Sequence, residues 1–203
     1  MKQVYRSKTA FVLGWVWVAF VAVNAWDLTV RFNGKPSLVA AAILGGLTAI
    51  VYLVALRPAT VFTESGLVGR NPLRTTFVPW ASVGDVTVSH SINVQHDEQL
   101  LRLWTPMSTA RERARAQRRA APRTQRPSRF RTEPAMTRGE QAAAEAFAGK
   151  THADWVGEQI TGRAESARRR EEAAGPARTT WALDAFAVLA VAVALVLAAI
   201  VVP

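Results

Sequence analysis

The chain has 203 residues, of which 50% are hydrophobic, and its formal net charge at pH 7 is +10. This length permits one modest folded domain plus membrane segments, but hardly two water-soluble domains. Cysteine is absent, which excludes a disulfide framework, a thiolate nucleophile and a thiolate metal site. The same absence fits a reducing cytoplasmic environment.

Two uncharged runs lie near the N-terminus, at 9–26 and 37–56. At about 1.5 Å per residue, each run is long enough, or nearly so, to cross a hydrocarbon core of about 30 Å. The short linker at 27–36 therefore predicts a transmembrane hairpin within 1–56. A cleaved signal peptide ending near 23–25 is the alternative for the first run, but its length and its two tryptophans favour a membrane span.

A third uncharged run, rich in alanine, valine and leucine, occupies 185–203. With Trp181 as an interfacial anchor, it predicts a C-terminal transmembrane helix over 181–203. Asp184 is interpreted as a helix-end residue that the helix dipole favours, rather than as a functional acid inside the membrane. Cations before the first run and Arg57 after the second place the following domain in the cytoplasm and the C-terminus outside a cell (inner) membrane.

Small residues recur at a spacing of four in the second and third runs. This spacing lets two helix backbones approach closely, although alanine-rich runs also produce it by chance, and both interpretations stay open. The rows are Ala41 with Gly45, Ala42 with Gly46, and Ala190 with Ala194 and Ala198.

The segment 57–106 carries short β-prone runs separated by turn signals. At 63–66, Gly66 is expected to take a positive φ, and Asn71-Pro72 predicts a second turn. The pattern predicts a small antiparallel sheet or open barrel. Five strands are placed, at 60–63, 67–68, 73–78, around 83–88, and 100–104.

The same segment carries a set of turn and packing motifs: Arg70, Asn71, Pro72, Arg74, Pro79 and Trp80, with Trp104 after the last strand. With two membrane spans before it, this pattern resembles the bacterial pleckstrin-homology-like (PH-like) domain of the low-molecular-weight protein antigen 6 family, over roughly 9–110. The resemblance implies a PH-like fold on a membrane anchor, with no established reaction and no agreed ligand. A standard PH domain has seven strands and a C-terminal helix. Trp80 and Trp104 are expected to lie in its core.

An arginine-rich tether is predicted at 107–136, either disordered or briefly helical after Ser108 or Thr109. The segment at 137–180 is predicted to be a helical extension and linker, helix-prone to about Ala167, with Thr137 and Glu140 as a capping box. Ala143, Phe147, Trp155 and Ile160 give it a partial apolar face. Whether this helix completes the PH-like domain stays open. The tether arginines are candidate contacts for anionic lipid headgroups: Arg111, Arg113, Arg115, Arg118, Arg119, Arg123, Arg126, Arg129 and Arg131.

The sequence predicts no catalytic residue, no cofactor site and no metal site. Its three histidines, His90, His96 and His152, lack metal-ligand spacing and are expected at the surface or in loops. The acid Glu64 in the short first loop argues against an inositol-phosphate pocket, and no small-molecule substrate is inferred. An enzyme or a transporter is therefore not expected.

The function that these observations favour is that of a non-enzymatic membrane scaffold or binding protein with a cytoplasmic PH-like domain. Its expected partners are anionic lipid and another membrane protein. Two alternatives stay open: an accessory subunit of an envelope or respiratory membrane complex, and nucleic-acid binding by the tether. Nucleic acid is the less favoured partner because the tether has one aromatic residue, Phe130, where base stacking ordinarily uses several.

Overall fold

The computed structural model describes residues 2–120 and 149–202. Within them, five helices and two antiparallel sheets make a mixed α/β protein. The helices are α1 (Lys8–Val30), α2 (Lys35–Val51, continued by a π-helical turn at Tyr52–Leu56), α3 (Ala110–Ala120), α4 (His152–Arg169) and α5 (Leu183–Val201). The strands are β1 (Gln3–Tyr5), β2 (Ala59–Phe62), β3 (Gly66–Arg70), β4 (Arg74–Pro79), β5 (Val86–Val88), β6 (Ile92–His96), β7 (Gln99–Leu103) and β8 (Arg178–Trp181).

Three helices are long and apolar enough to cross a membrane: α1, α2 with its π-helical extension, and α5. The prediction of three such helices, two of them near the N-terminus, is therefore confirmed. The first helix continues to Val30, so Asp27, expected in the linker, lies in its last turn and pairs with Arg31 at 3.1 Å.

The helices α2 and α5 pack against each other through small residues. Their buried alanines are Ala42 and Ala49 on α2, and Ala185, Ala192 and Ala199 on α5. These residues recur every seven positions, the repeat of a left-handed helix pair. For the row on α5, the structure favours the interpretation as a chance pattern, because Ala190 and Ala194 are exposed and Ala198 is only half-buried.

The larger sheet has the strand order β1-β2-β3-β4-β8. Its two edge strands come from outside the predicted domain: β1 precedes the first apolar helix and β8 precedes the last. Tyr5 of β1 lies opposite Thr60, and Trp181 of β8 lies opposite Arg74. Both edges of the sheet are therefore connected directly to the apolar helices.

The smaller sheet has the order β5-β6-β7 and contains a strand that the sequence prediction missed. The predicted strands leave 89–99 unassigned, but β6 occupies Ile92–His96 and the chain reverses at Asp97, whose φ is +49°. Ile92, Val94 and His96 are buried while the residues between them face outward. The strand was missed because its outward-facing residues are polar, so that the segment resembles a loop in the sequence.

One hydrophobic core joins both sheets and α4. Phe62, Leu67 and Val78 come from the larger sheet, Ile92, Val94 and Leu103 from the smaller, and Val156 and Ile160 from α4. The helix presents its buried residues at the spacing of one helical face. The β domain therefore comprises β1, 57–106, α4 and β8, so the predicted domain of 57–106 was too narrow.

Gly66 does not have the predicted positive φ. It is required for close packing instead, since a Cβ at this position would lie 2.4 Å from the carbonyl oxygen of Val78 on the neighbouring strand.

The described part of the tether is helical from Ala110 onward. Thr109 and Glu112 cap α3 reciprocally, with the Glu112 N–H donating to Thr109 Oγ1 at 3.2 Å and the Thr109 N–H to Glu112 Oε2 at 2.9 Å. The brief helix was thus the correct alternative for 110–120, while the remainder of the tether lies outside the described residues, as does the capping box predicted at Thr137 and Glu140. The helix α4 begins instead with a capping box formed by Thr151 and Asp154.

Candidate membrane-facing site

A buried arginine connects the β domain to the apolar helices. The side chain of Arg57, at the end of α2, is 6% exposed, and its Nε lies 3.0 Å from Oδ2 of Asp184 in the first turn of α5. The Tyr52 hydroxyl donates to the same carboxylate oxygen at 2.7 Å. The guanidinium also donates to the Asn71 carbonyl and, at 3.1 Å, to Thr75 Oγ1. We call these five residues the junction network.

The junction network fixes the β3–β4 loop beside the ends of the apolar helices. The Ala182 N–H, one residue before α5, donates to the Leu73 carbonyl at 3.0 Å. Arg6, just before α1, donates from Nη1 to the carbonyl of Leu56 at 3.5 Å. This face is the helix-proximal end of the domain, and the opposite face, which contains Trp80, is its distal end.

Exposed apolar and aromatic side chains gather at the helix-proximal end. Leu73 is exposed in the β3–β4 loop, Trp181 is 58% exposed two residues before α5, and Trp104 is 37% exposed after β7. Two exposed arginines lie at the same end: the Arg74 guanidinium stands 4.4 Å above the Trp181 ring, and Arg102 projects outward from β7 and donates from Nε to Ser91 Oγ at 3.0 Å. We call these five residues the interfacial rim.

Asn71 holds the two parts of the rim together. Its Nδ2 donates to the Arg102 carbonyl at 2.8 Å, and its Oδ1 accepts from the Trp104 N–H at 3.0 Å. The β3–β4 loop is thereby fixed to the end of β7, so Leu73 and Trp104 share one surface. Large aromatic side chains beside arginines are the composition of a membrane–water interface, where rings lie at the headgroup level and guanidinium groups bind phosphate.

Of the two tryptophans expected in the core, only Trp80 is there. It is 4% exposed, its ring contacts Phe62 edge-on at 5.3 Å, and its Nε1 donates to the Thr63 carbonyl at 3.0 Å. The prediction for Trp104 was wrong, because β7 turns Leu101 and Leu103 inward and the alternation places the next residue outward.

The other motif residues lie at the ends of β3 and β4 and in the loop between these strands. Pro72 lies in the β3–β4 loop beside Asn71, and Arg70 is the half-buried last residue of β3. Pro79 ends β4 opposite Gly66. The sequence interpretation missed Arg57, Leu73 and Arg102. Arg57 could have been identified from its charge, because Arg57 and Asp184 are opposite charges at the domain-side ends of two apolar runs.

Four of the predicted lipid-contact arginines can be located with their side chains. Arg111, Arg115 and Arg118 are exposed at spacings of four and three, so they form one basic stripe on α3. Arg113 is half-buried and donates from Nη2 to Ser108 Oγ at 2.9 Å. The side chain of Arg119, and the residues Arg123, Arg126, Arg129 and Arg131, lie outside the described part of the chain.

His96 is buried, contrary to the prediction that all three histidines lie at the surface or in loops. It is 5% exposed at the end of β6, and its Nδ1 lies 4.0 Å from Oδ2 of Asp97. His90 and His152 are exposed as predicted, the latter stacked on Trp155. Among residues 2–120 and 149–202, no group of three or more His, Asp or Glu side chains has the geometry of a metal site.

The fold and site define a mixed α/β protein in which a two-sheet domain is connected by a buried arginine to three helices able to cross a membrane. No family model matches the chain, and no similar curated protein or solved structure was found. The resemblance to the low-molecular-weight protein antigen 6 family accordingly stays a prediction based on the motif residues.

Proposed function

We propose that this protein is a non-enzymatic membrane scaffold whose PH-like domain lies against the cytoplasmic leaflet of the cell membrane and binds anionic lipid headgroups through the interfacial rim. The observation that carries the proposal is the junction network. It fixes the rim at the level where the three apolar helices begin or end, and that level is the headgroup region if the helices cross a bilayer.

The order of elements supports a PH-like fold for the domain. Seven strands, β1 to β7, precede α4, and α4 covers the core that the two sheets share. The first of these strands precedes the apolar hairpin in sequence, which is why the region from 57 to 106 accounts for only six of the seven. The eighth strand is an addition that connects the domain to α5.

The distribution of charge supports a cytoplasmic domain. At the domain end of the apolar helices lie Lys2, Arg6, Lys8 and Arg57 with one acid, Asp184, whereas the opposite end carries Arg31 and Lys35 with the acid Asp27. Cytoplasmic loops carry the excess of lysine and arginine. Of these cations, Lys2 and Lys8 are exposed and attract the anionic cytoplasmic leaflet, at about 1 kcal/mol for each basic residue near the surface.

The basic stripe of α3 extends the same interaction. Only a few residues separate Trp104 of the rim from Arg111, so the stripe is confined near the same surface. Confinement raises the effective concentration of the headgroups over that of any soluble polyanion. This favours lipid over nucleic acid as the partner of the arginines.

The apolar helices support a second candidate function, that of an accessory subunit in a larger membrane complex. An apolar groove of about 510 Å³ follows the contact between α2 and α5, with Ala42, Gly46 and Ala199 among its lining residues. Small residues at such a surface allow another helix to approach closely. Co-purification of a stoichiometric membrane protein that Gly46→Leu releases would favour this candidate.

Lipid binding by the rim is tested by hydrogen exchange in nanodiscs of phosphatidylcholine, with and without phosphatidylglycerol. We expect the anionic lipid to slow amide exchange in 71–74 and 102–108, and the double variant Arg74→Gln/Arg102→Gln to lose this protection. Arg169→Gln, an exposed change at the far end of α4, is the matched control. Identical exchange in both lipids, or an equal loss in the control, would contradict the proposal.

A further inference from the structure

The smaller sheet has an edge that faces no other strand in the described chain. The strand β5 pairs with β6 on one side only, with Val86 opposite Val94 and Val88 opposite Ile92. Hydrogen-bonded and non-bonded pairs alternate along an antiparallel ladder.

The bonds at the two ends of this ladder fix which backbone groups face the free edge. The Gln95 N–H donates to the Asp85 carbonyl at 2.9 Å, and the Ser89 N–H donates to the Ser91 carbonyl at 3.0 Å. The odd-numbered residues of β5 therefore face β6. The N–H and C=O groups of Val86 and Val88 point to the open side, where residues 2–120 and 149–202 offer them no partner.

The helix α4 runs beside this edge and leaves a groove of about 430 Å³ between helix and strand. Its floor is apolar and consists of Val86, Val88 and Gly157. The glycine is needed for the close approach, since a Cβ there would lie 2.6 Å from Val88 Cγ2. We call this feature the β5–α4 groove.

The helical wall of the groove is acidic, with Asp154, Glu158 and Glu165 among its lining residues. Glu158 pairs with Lys150 at 2.7 Å, and Glu165 lies 3.6 Å from Arg169. Asp154 accepts from the Thr151 N–H and hydroxyl, both at 2.7 Å. The two ion pairs are half-exposed and therefore weak, so an incoming cation can compete for the carboxylates.

We infer that the β5–α4 groove binds an extended segment of a partner polypeptide that adds a strand to β5 and carries Lys or Arg at alternate positions. Alternate side chains of such a strand point to opposite faces of the sheet, so one set faces α4, where its aliphatic stems pack on the valine floor and its charged ends meet the acidic wall. Backbone bonds to Val86 and Val88 provide affinity without requiring a particular sequence. The carboxylates repel phosphate groups, which excludes lipid headgroups and nucleic acid as occupants.

This inference goes beyond the proposed lipid contact and is independent of it. The interfacial rim lies at the helix-proximal end of the domain, whereas the groove follows α4 along the side toward the distal end. Both surfaces are available at once, as a scaffold that recruits a second protein to a membrane requires.

The test uses the full chain in phosphatidylcholine nanodiscs and a fluorescent peptide of alternating Arg and Val. We expect saturable binding of this peptide and none of a Glu-Val peptide. Methylation of alternate backbone nitrogens removes the donors that β5 needs, so it is expected to weaken binding by about tenfold or more.

Substitutions on α4 locate the binding site. Gly162→Phe places a ring at the groove lining, at a position where a Cβ has no atom within 4 Å, and it is expected to weaken binding by about tenfold or more. Gln159→Phe, exposed on α4 outside the groove lining, is the matched control. The double variant Glu158→Gln/Glu165→Gln is expected to weaken binding and reduce its salt dependence, whereas Glu172→Gln leaves both unchanged.

Four results would overturn the inference. The first is equal affinity in the wild type and Gly162→Phe, and the second is equal affinity for the methylated peptide. Binding only after Arg123, Arg126, Arg129 and Arg131 are replaced by Ser would assign the groove to this chain's own tether. The fourth result is that the protein binds no peptide and that Gly162→Phe converts a dimer to a monomer. This would show that a second copy of the chain occupies the β5–α4 groove.

Discussion

The two ends of the β domain use tryptophan in opposite ways. At the distal end, Trp80 is buried against Phe62 and its Nε1 is satisfied by a backbone carbonyl. At the helix-proximal end, Trp104 and Trp181 stay exposed although a core lies nearby. The distal end has to close its core against water, whereas the other end adjoins the apolar helices. The position of an aromatic residue relative to those helices therefore decides whether it stabilises the fold or forms a surface.

The largest effect that this comparison predicts is on stability. Trp80→Ala removes a buried ring from the core and is expected to lower the free energy of unfolding by about 3–5 kcal/mol. Trp104→Ala removes a partly exposed ring and is expected to cost less than about 1 kcal/mol. Denaturant unfolding of the two variants in nanodiscs measures both. Equal losses would show that the two ends do not differ.

The junction network provides the next prediction. Arg57→Met leaves the Asn71 carbonyl and Thr75 without their partner and leaves Asp184 with the Tyr52 hydroxyl but without the guanidinium. We expect a cost of about 2–4 kcal/mol, since breaking a buried pair is expensive but Asp184 is half-exposed. Faster amide exchange in 71–75 would accompany it. Arg31→Met is the control: its ion pair with Asp27 is exposed, so its loss is expected to cost about 0.5 kcal/mol. A cost for Arg57→Met as small as that of the control would contradict a stabilising role for the junction network.

A pair of glycines gives a smaller effect and tests the packing of the distal end. Gly66→Ala places a Cβ against backbone, 2.4 Å from the Val78 carbonyl oxygen, so a loss of about 1–3 kcal/mol is expected. Gly162→Ala meets no neighbouring atom on α4 and is expected to stabilise the protein by up to about 1 kcal/mol through helix propensity. Thermal melting of the two variants should shift in opposite directions, and a shift in the same direction would mean that the packing around Gly66 is not as tight as described.

The sequence predicted those parts of the fold whose signals are local. An uninterrupted apolar run identifies a helix such as α5 without any knowledge of its neighbours, and turn residues such as Asn71-Pro72 delimit β3 and β4. Strands β1 and β8 have three and four residues and adjoin apolar helices. In the sequence they are indistinguishable from flanking segments, because only pairing with β2 and β4 makes them strands.

The candidate site was predictable only in part, for the same reason. Asn71 and Arg74 stood out because they belong to a turn motif, but their partners Arg102 and Trp181 are distant in sequence. Arg57 and Asp184 are separated by 127 residues, and no periodicity connects them. The exposure of Trp104 follows from the alternation of inward and outward side chains along β7. It could be predicted only once Leu101 and Leu103 were known to face inward.

The central claim, that the interfacial rim lies at a membrane surface, can be tested directly because the chain has no cysteine. Single variants Leu73→Cys and Glu98→Cys place a spin label on the rim and on the distal β6–β7 turn, in nanodiscs that contain a lipid with a nickel-chelating headgroup. The account predicts strong relaxation of the label at 73 by the headgroup nickel and little relaxation at 98. Equal relaxation at both positions, or stronger relaxation at 98, would contradict it.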